Sequence, residues 1–168
     1  MLGQKYRDGV GVKQSDKEAV KLYKMAAKGG SAASQHNLGV YYAKGTRGLE
    51  RNMKKAAKYY TNAAAQKHPY SQNNLAGMYA TGNGVKQSNT RAIELYEMSA
   101  KQGNANAQHK LGLFYQRGSH GLIQSTKKSI ESYTLAAEQE FVDSYINLGN
   151  IYYHGRGVEK SNSKARKW

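Results

Sequence analysis

Apolar and polar positions along this chain form short helical stripes that return at a fixed interval. Leu38 and Tyr42 stand one turn apart on one face, as do Leu75/Tyr79, Leu111/Tyr115 and Leu148/Tyr152. A second stripe follows each of these, built from small residues around one aromatic. It reads Ala19/Tyr23/Ala26-Ala27, then Ala56/Tyr60/Ala63-Ala64, Ala92/Tyr96/Ser99-Ala100 and Ser129/Tyr133/Ala136-Ala137. The phrase Leu-Gly-x-x-Tyr-x-x-Gly begins at Leu2, Leu38, Leu111 and Leu148, and as Leu75-Ala76 in the third copy, at intervals of 36, 37, 36 and 37 residues. A period of this size marks stacked repeats, each a unit that cannot bury its apolar face alone.

Each repeat resolves into two predicted helices. The first, A, covers about 1–7, 32–44, 69–80, 105–116 and 142–154; the second, B, covers about 15–28, 51–66, 88–102, 125–139 and 161–168. Gly9, Gly45, Gly82, Gly118 and Gly155 stand where an A helix needs a left-handed terminator. Ser15, Ser88, Ser125 and Ser161 stand where B helices need N-caps. The Gly beside each repeat Leu costs a helix interior about 1 kcal/mol against Ala. That cost predicts a close approach of another helix backbone at this point. The tyrosines are predicted to fill the space between helices.

These residues carry a specific resemblance. Gly30-Ser31-Ala32-Ala33-Ser34 ahead of Leu38, and Gly103-Asn104-Ala105-Asn106-Ala107 ahead of Leu111, resemble the opening of the Sel1-like repeat. Gly82-Asn83-Gly84-Val85 and Gly155-Arg156-Gly157-Val158 are similar to its loop. Lys55-Ala56-Ala57-Lys58-Tyr59-Tyr60 and Lys164-Ala165-Arg166-Lys167-Trp168 are similar to its second helix. The resemblance covers essentially the whole chain. It implies an all-α fold, a right-handed superhelical α-solenoid of stacked antiparallel helix pairs. A single domain is expected over 1–168, with repeats at about 1–30 (partial), 31–67, 68–103, 104–140 and 141–168 (partial). A tetratricopeptide array has a shorter period and a Pro near each repeat end, and neither fits.

Two departures from the pattern are informative. The second and fourth repeats carry one extra residue in the A–B loop, in Gly45-Thr46-Arg47-Gly48-Leu49 and Gly118-Ser119-His120-Gly121-Leu122. An identity at an offset of 73 residues, Val12-Lys13-Gln14-Ser15 with Val85-Lys86-Gln87-Ser88 and Gln35-His36 with Gln108-His109, points to a copied pair of repeats. The chain starts partway through an A helix and stops partway through a B helix. That predicts either a fragment of a longer array or end-to-end self-association through open ends.

Composition narrows the chemistry. The chain has no Cys, which excludes disulfides and thiolate metal sites, and no apolar run long enough to span a bilayer or form a signal-peptide core. Compartment is not legible. Ser125-Thr126-Lys127-Lys128 and Ser161-Asn162-Ser163-Lys164 contain Ser-x-x-Lys, but both fall at predicted helix starts, where capping explains them. His36, His68, His109, His120 and His154 show no metal-ligand spacing, and the Gly-x-Gly loops lack the strand a nucleotide loop needs. Neither cofactor nor metal is expected, and no enzymatic constellation emerges.

The formal charge of +15 sits mainly on the B helices and loops, in stripes such as Lys17/Lys21/Lys24/Lys28 and Arg51/Lys54/Lys55/Lys58. In complete A helices only Lys44, Lys110 and Asp143 are charged. The resemblance puts A helices on the concave side. There Asn37, Asn74, Lys110 and Asn147 precede each repeat Leu, and Tyr41, Met78, Phe114 and Ile151 follow them by four residues. An amide row beside an apolar row suits an extended peptide, whose backbone it can bond while alternate side chains are received. The competing reading is that the apolar row is inter-helix filler. The expected function is a protein–protein interaction scaffold or adaptor that binds a peptide or helical segment on this concave face. The alternative is attachment of the basic convex side to nucleic acid or anionic membrane.

Overall fold

The computed structural model describes residues 2–168. Among these residues the chain forms helices and no strands. In order they are α1 (Leu2–Asp8), α2 (Asp16–Lys28), α3 (Ala32–Lys44), α4 (Met53–Ala65) and α5 (Pro69–Thr81). There follow α6 (Asn89–Lys101), α7 (Ala105–Arg117), α8 (Thr126–Ala137), α9 (Val142–His154) and α10 (Asn162–Lys167). Odd-numbered helices are the A helices and even-numbered ones the B helices, as expected of an α-solenoid. The predicted start at Met1 lies outside the described residues.

The predicted stop and start signals act as such. Gly45, Gly82, Gly118 and Gly155 end α3, α5, α7 and α9 in the left-handed conformation, each donating its N–H one turn back. Ser15, Ser125 and Ser161 cap α2, α8 and α10. The Ser-x-x-Lys pairs are therefore caps, with Ser125 and Ser161 Oγ accepting from the N–H of Lys128 and Lys164. The fourth helix begins at Met53, two residues later than predicted, because Asn52 is its cap and accepts from Lys55 N–H at 2.9 Å. A further tie recurs in every repeat. The carbonyls of Tyr6, Tyr42, Tyr79, Tyr115 and Tyr152 accept from the N–H of Ser15, Asn52, Ser88, Ser125 and Ser161 at 2.8–3.0 Å.

Residues 1–88 and 89–168 form two compact units. In the first, Ala19, Val20, Tyr23 and Ala27 of α2 close on Leu38 and Tyr41 of α3. In the second, Tyr133 and Ala137 of α8 close on Leu148 and Ile151 of α9, with Trp168 packed alongside. Buried glutamines tie an A helix to the B helix before it. Gln35 Nε2 donates to the Ala27 carbonyl at 3.1 Å, and its Oε1 accepts from Gln66 Nε2 at 2.8 Å. Gln108 repeats both bonds in the second unit, with Ala100 and Gln139.

At Gly39 and Gly112 the Gly beside the repeat Leu is explained differently from the expectation, whereas at Gly149 the neighbour is a backbone carbonyl, that of Ala165, at 3.5 Å. A methyl group at Gly39 would lie 2.6 Å from the Tyr60 ring, and one at Gly112 would lie 2.6 Å from the Tyr133 ring. The close neighbour is an aromatic side chain of the following B helix, not a backbone. Burial pushes Tyr133 up to about 12, in keeping with its interior place.

Candidate functional site

The eight residues expected to meet a partner divide between the units. Asn37 and Tyr41 stand on α3 and Asn74 and Met78 on α5; Lys110 and Phe114 stand on α7, Asn147 and Ile151 on α9. The polar four are all half-buried at helix surfaces. The apolar row is corrected by the structure. Tyr41, Met78 and Ile151 are 7%, 5% and 1% exposed and belong to the interior. Tyr41 packs edge-on against Tyr23 with ring centroids 5.8 Å apart. Phe114 does the same to Tyr96 at 5.7 Å, and its half-buried ring is stacked on His120 at 4.1 Å. A residue four positions on lies about 40° further round a helix. That rotation carries the side chain from the surface row under the neighbouring helix.

In the first unit the structure brings together residues that the sequence keeps apart. His36 Nδ1 lies 2.9 Å from Ser71 Oγ, which is 3.1 Å from His68 Nδ1, and the two imidazoles stack at 4.7 Å. Burial, and secondly the neighbouring His68, pushes His36 down to about 4; burial lowers His68 too. His68 also caps α5, accepting from Ser71 N–H. In the second unit His109 keeps the serine bond, to Ser144 at 2.9 Å, but Phe141 stands where the second imidazole would be. These histidines are packing and capping groups. Among the described residues there is no cluster of three or more metal-ligating side chains.

The second unit holds an open groove of about 810 Å³ between α7, α9 and the loops that follow them. Asn147 and Ile151 both line it. The other polar lining residues, Gln116, Arg117, Gln124, Thr126, Asn150 and Arg156, were not expected to meet a partner. Arg117 was missed by one residue, since α7 runs a residue past its predicted end and adds a charge to the A helices. Two of the amides are already engaged. Gln116 Oε1 accepts from the Tyr133 hydroxyl at 2.8 Å, and Gln124 Nε2 donates to the Gln116 carbonyl at 3.0 Å. Among the described residues neither Arg117 nor Arg156 is in an ion pair. No acidic and no aromatic side chain lines the groove.

The basic stripes lie where the sequence put them. Lys17, Lys21, Lys24 and Lys28 are exposed along α2, and Lys54, Lys55 and Lys58 along α4, beside Arg51. No helix among the described residues is long and apolar enough to cross a membrane.

Comparison with known proteins agrees with the repeat reading. The sequence pattern of the Sel1 repeat matches residues 1–31, 32–68, 69–104, 105–141 and 142–168. The chain is 34% identical to a Sel1 repeat protein from Oxalobacter formigenes, with TM-score 0.90, over 99% of this chain and 67% of that one. It is 30% identical to a protective antigen present in uropathogenic Escherichia coli strains that displays the SLR fold. That match has TM-score 0.93 and covers 99% of this chain but only 35% of the antigen. No curated protein matches the chain.

Proposed function

We propose that this chain, which belongs to the Sel1 repeat family, holds a segment of a protein partner along the exposed edge of its A helices. Sel1 repeat proteins are in general scaffolds for protein–protein interaction, without chemistry of their own. The observation that supports the A-helix edge is the burial pattern. Asn37, Asn74, Lys110 and Asn147 stay half-buried at the surface, while Tyr41, Met78 and Ile151 beneath them are fixed in the core. Within each unit, rigid side chains below the polar positions make a shelf, on which Asn37 and Asn147 can both donate to and accept from a peptide backbone, while Asn74 Oδ1 already accepts from Asn73. The partner's affinity then comes from those amides and from the groove beside Asn147. The apolar residues act as supports.

The test is selection of binding peptides from a displayed random library, followed by titration against the Asn74→Ala/Asn147→Ala variant. Binding weakened at least tenfold is the expected result, with a modest fall in melting temperature because Asn74 bonds Asn73 and the buried Tyr60. Unchanged affinity overturns the reading. Met78→Ala is unsuitable here, because it removes a core side chain.

The exposed lysine stripes of α2 and α4 support a second reading, attachment of the B-helix side to an anionic polymer or membrane. Its mark is an affinity that falls steeply with salt.

A further inference from the structure

We infer that the groove of the second unit selects an acidic side chain on an extended peptide, holding its carboxylate between Arg117 and Arg156. The inference rests on the scaffold reading above and names the chemistry of what that groove accepts. Four features support it.

The first is charge. Arg117 is the last residue of α7, and Arg156 follows the glycine that ends α9, so the two arginines line one groove from the ends of different helices. Neither has an acidic partner within the described residues, and no acidic residue lines the groove. Guanidinium groups present paired donors that match both oxygens of a carboxylate.

The second is the amide supply. Asn147 and Asn150 are one turn apart on α9 and both line the groove. Each offers a donor and an acceptor, the complement of a peptide unit. Gln116 and Gln124, by contrast, are already bonded and hold the opposite wall in place.

The third is size and composition. About 810 Å³ lies within the roughly 300–1,000 Å³ typical of binding pockets, and the opening is continuous with solvent. No aromatic ring lines it, so it lacks the stacking platform that single-stranded nucleic acid uses.

The fourth is an internal comparison. The positions 73 residues earlier, in the first unit, carry Ala43 for Gln116, Lys44 for Arg117, Gly77 for Asn150 and Asn83 for Arg156. Arg51 stands there for Gln124, so both cations belong to the α3 side and none comes from the α5 side. The copied pair of repeats thus keeps the frame, and only the second unit carries an arginine at the end of each of its two A helices that line the groove.

The experiment uses a fluorescein-labelled nonapeptide library with a central Glu in polar, uncharged flanks, its central-Gln counterpart, inorganic phosphate and a dT oligonucleotide as probes. The Glu peptides should bind at least tenfold more tightly than the Gln peptides. The Arg117→Gln/Arg156→Gln variant should lose that discrimination, and Lys44→Gln should keep it. Equal binding of Glu and Gln peptides overturns the inference. So does discrimination that survives in the double arginine variant, or oligonucleotide or phosphate binding that outcompetes the Glu peptides. If peptides of both kinds bind equally and only Asn74→Ala/Asn147→Ala weakens them, the acidic preference falls and the scaffold reading stands. If neither variant changes peptide binding, both fall.

Discussion

The ring of Tyr60 lies against Gly39 so closely that a methyl group there would sit 2.6 Å from it. Gly39→Ala gains about 1 kcal/mol of helix propensity but forces the ring aside, an overpacking that costs typically about 1–3 kcal/mol. The net expectation is a lower urea midpoint for Gly39→Ala and for the equivalent Gly112→Ala. Gly149 differs, since an added methyl meets only the Ala165 carbonyl at 3.5 Å. Gly149→Ala should therefore stabilise. A destabilised Gly149→Ala, or a neutral Gly39→Ala, would contradict this account.

The stacked imidazoles of His36 and His68 predict a dependence on acid. His36 titrates near its ordinary 6.5 when unfolded and near 4 when folded. Between those values the unfolded chain holds the extra proton, so stability rises with pH and is lost as pH falls through the window. The part exposure of the ring limits the effect to about 1–2 kcal/mol. His68→Asn keeps a capping side chain, as Asn104 does on α7, and removes one titrating neighbour. Thermal unfolding followed from pH 7 to pH 4 should show a shallower decline for this variant. An identical slope would count against the coupling.

Gln35 occupies the interior between two helices and bonds both. Gln35→Ala removes one of two bonds to the Ala27 carbonyl, which keeps the Gly30 N–H, and loosens Gln66, at an expected cost of about 0.5–1.5 kcal/mol. Amide hydrogen exchange gives a direct reading, with the last turn of α2 and first turn of α3 losing protection together. Loss confined to α3 would show that the glutamine does not link them.

Met78 separates a core role from a ligand role. As an interior residue, its replacement by Ala should cost about 2–5 kcal/mol in chemical denaturation. A stable Met78→Ala with impaired peptide binding would restore the exposed apolar row.

Most of the helix pattern was legible because its signals are local. Left-handed glycines, capping serines and i,i+4 stripes each act within one or two turns, and α3 and α9 end at the glycines that those signals mark. Asn52 escaped notice because that repeat has no serine at the capping position. The site was less legible for a geometric reason. Asn37 and Tyr41 share a helix line in sequence, yet the packing of a neighbouring helix divides surface from interior between them. Arg117 and Arg156 come to line one groove, and His36 meets His68, only through the stacking of one repeat on the next. The offset of 73 residues held a usable signal. Reading its differences as well as its identities would have marked Gln116, Asn150 and Arg156.

Each A–B loop is fixed at both ends, by a left-handed glycine and by the N–H of the next cap on a tyrosine carbonyl. An inserted residue therefore has nowhere to push except outward. The second and fourth repeats take theirs as a left-handed Arg47 and His120, the first reaching Asp16 and the second covering Phe114. Loop length and helix register are thus decoupled. The loops are places where residues can be added or exchanged, and new contacts tried, while the frame beneath keeps its alignment.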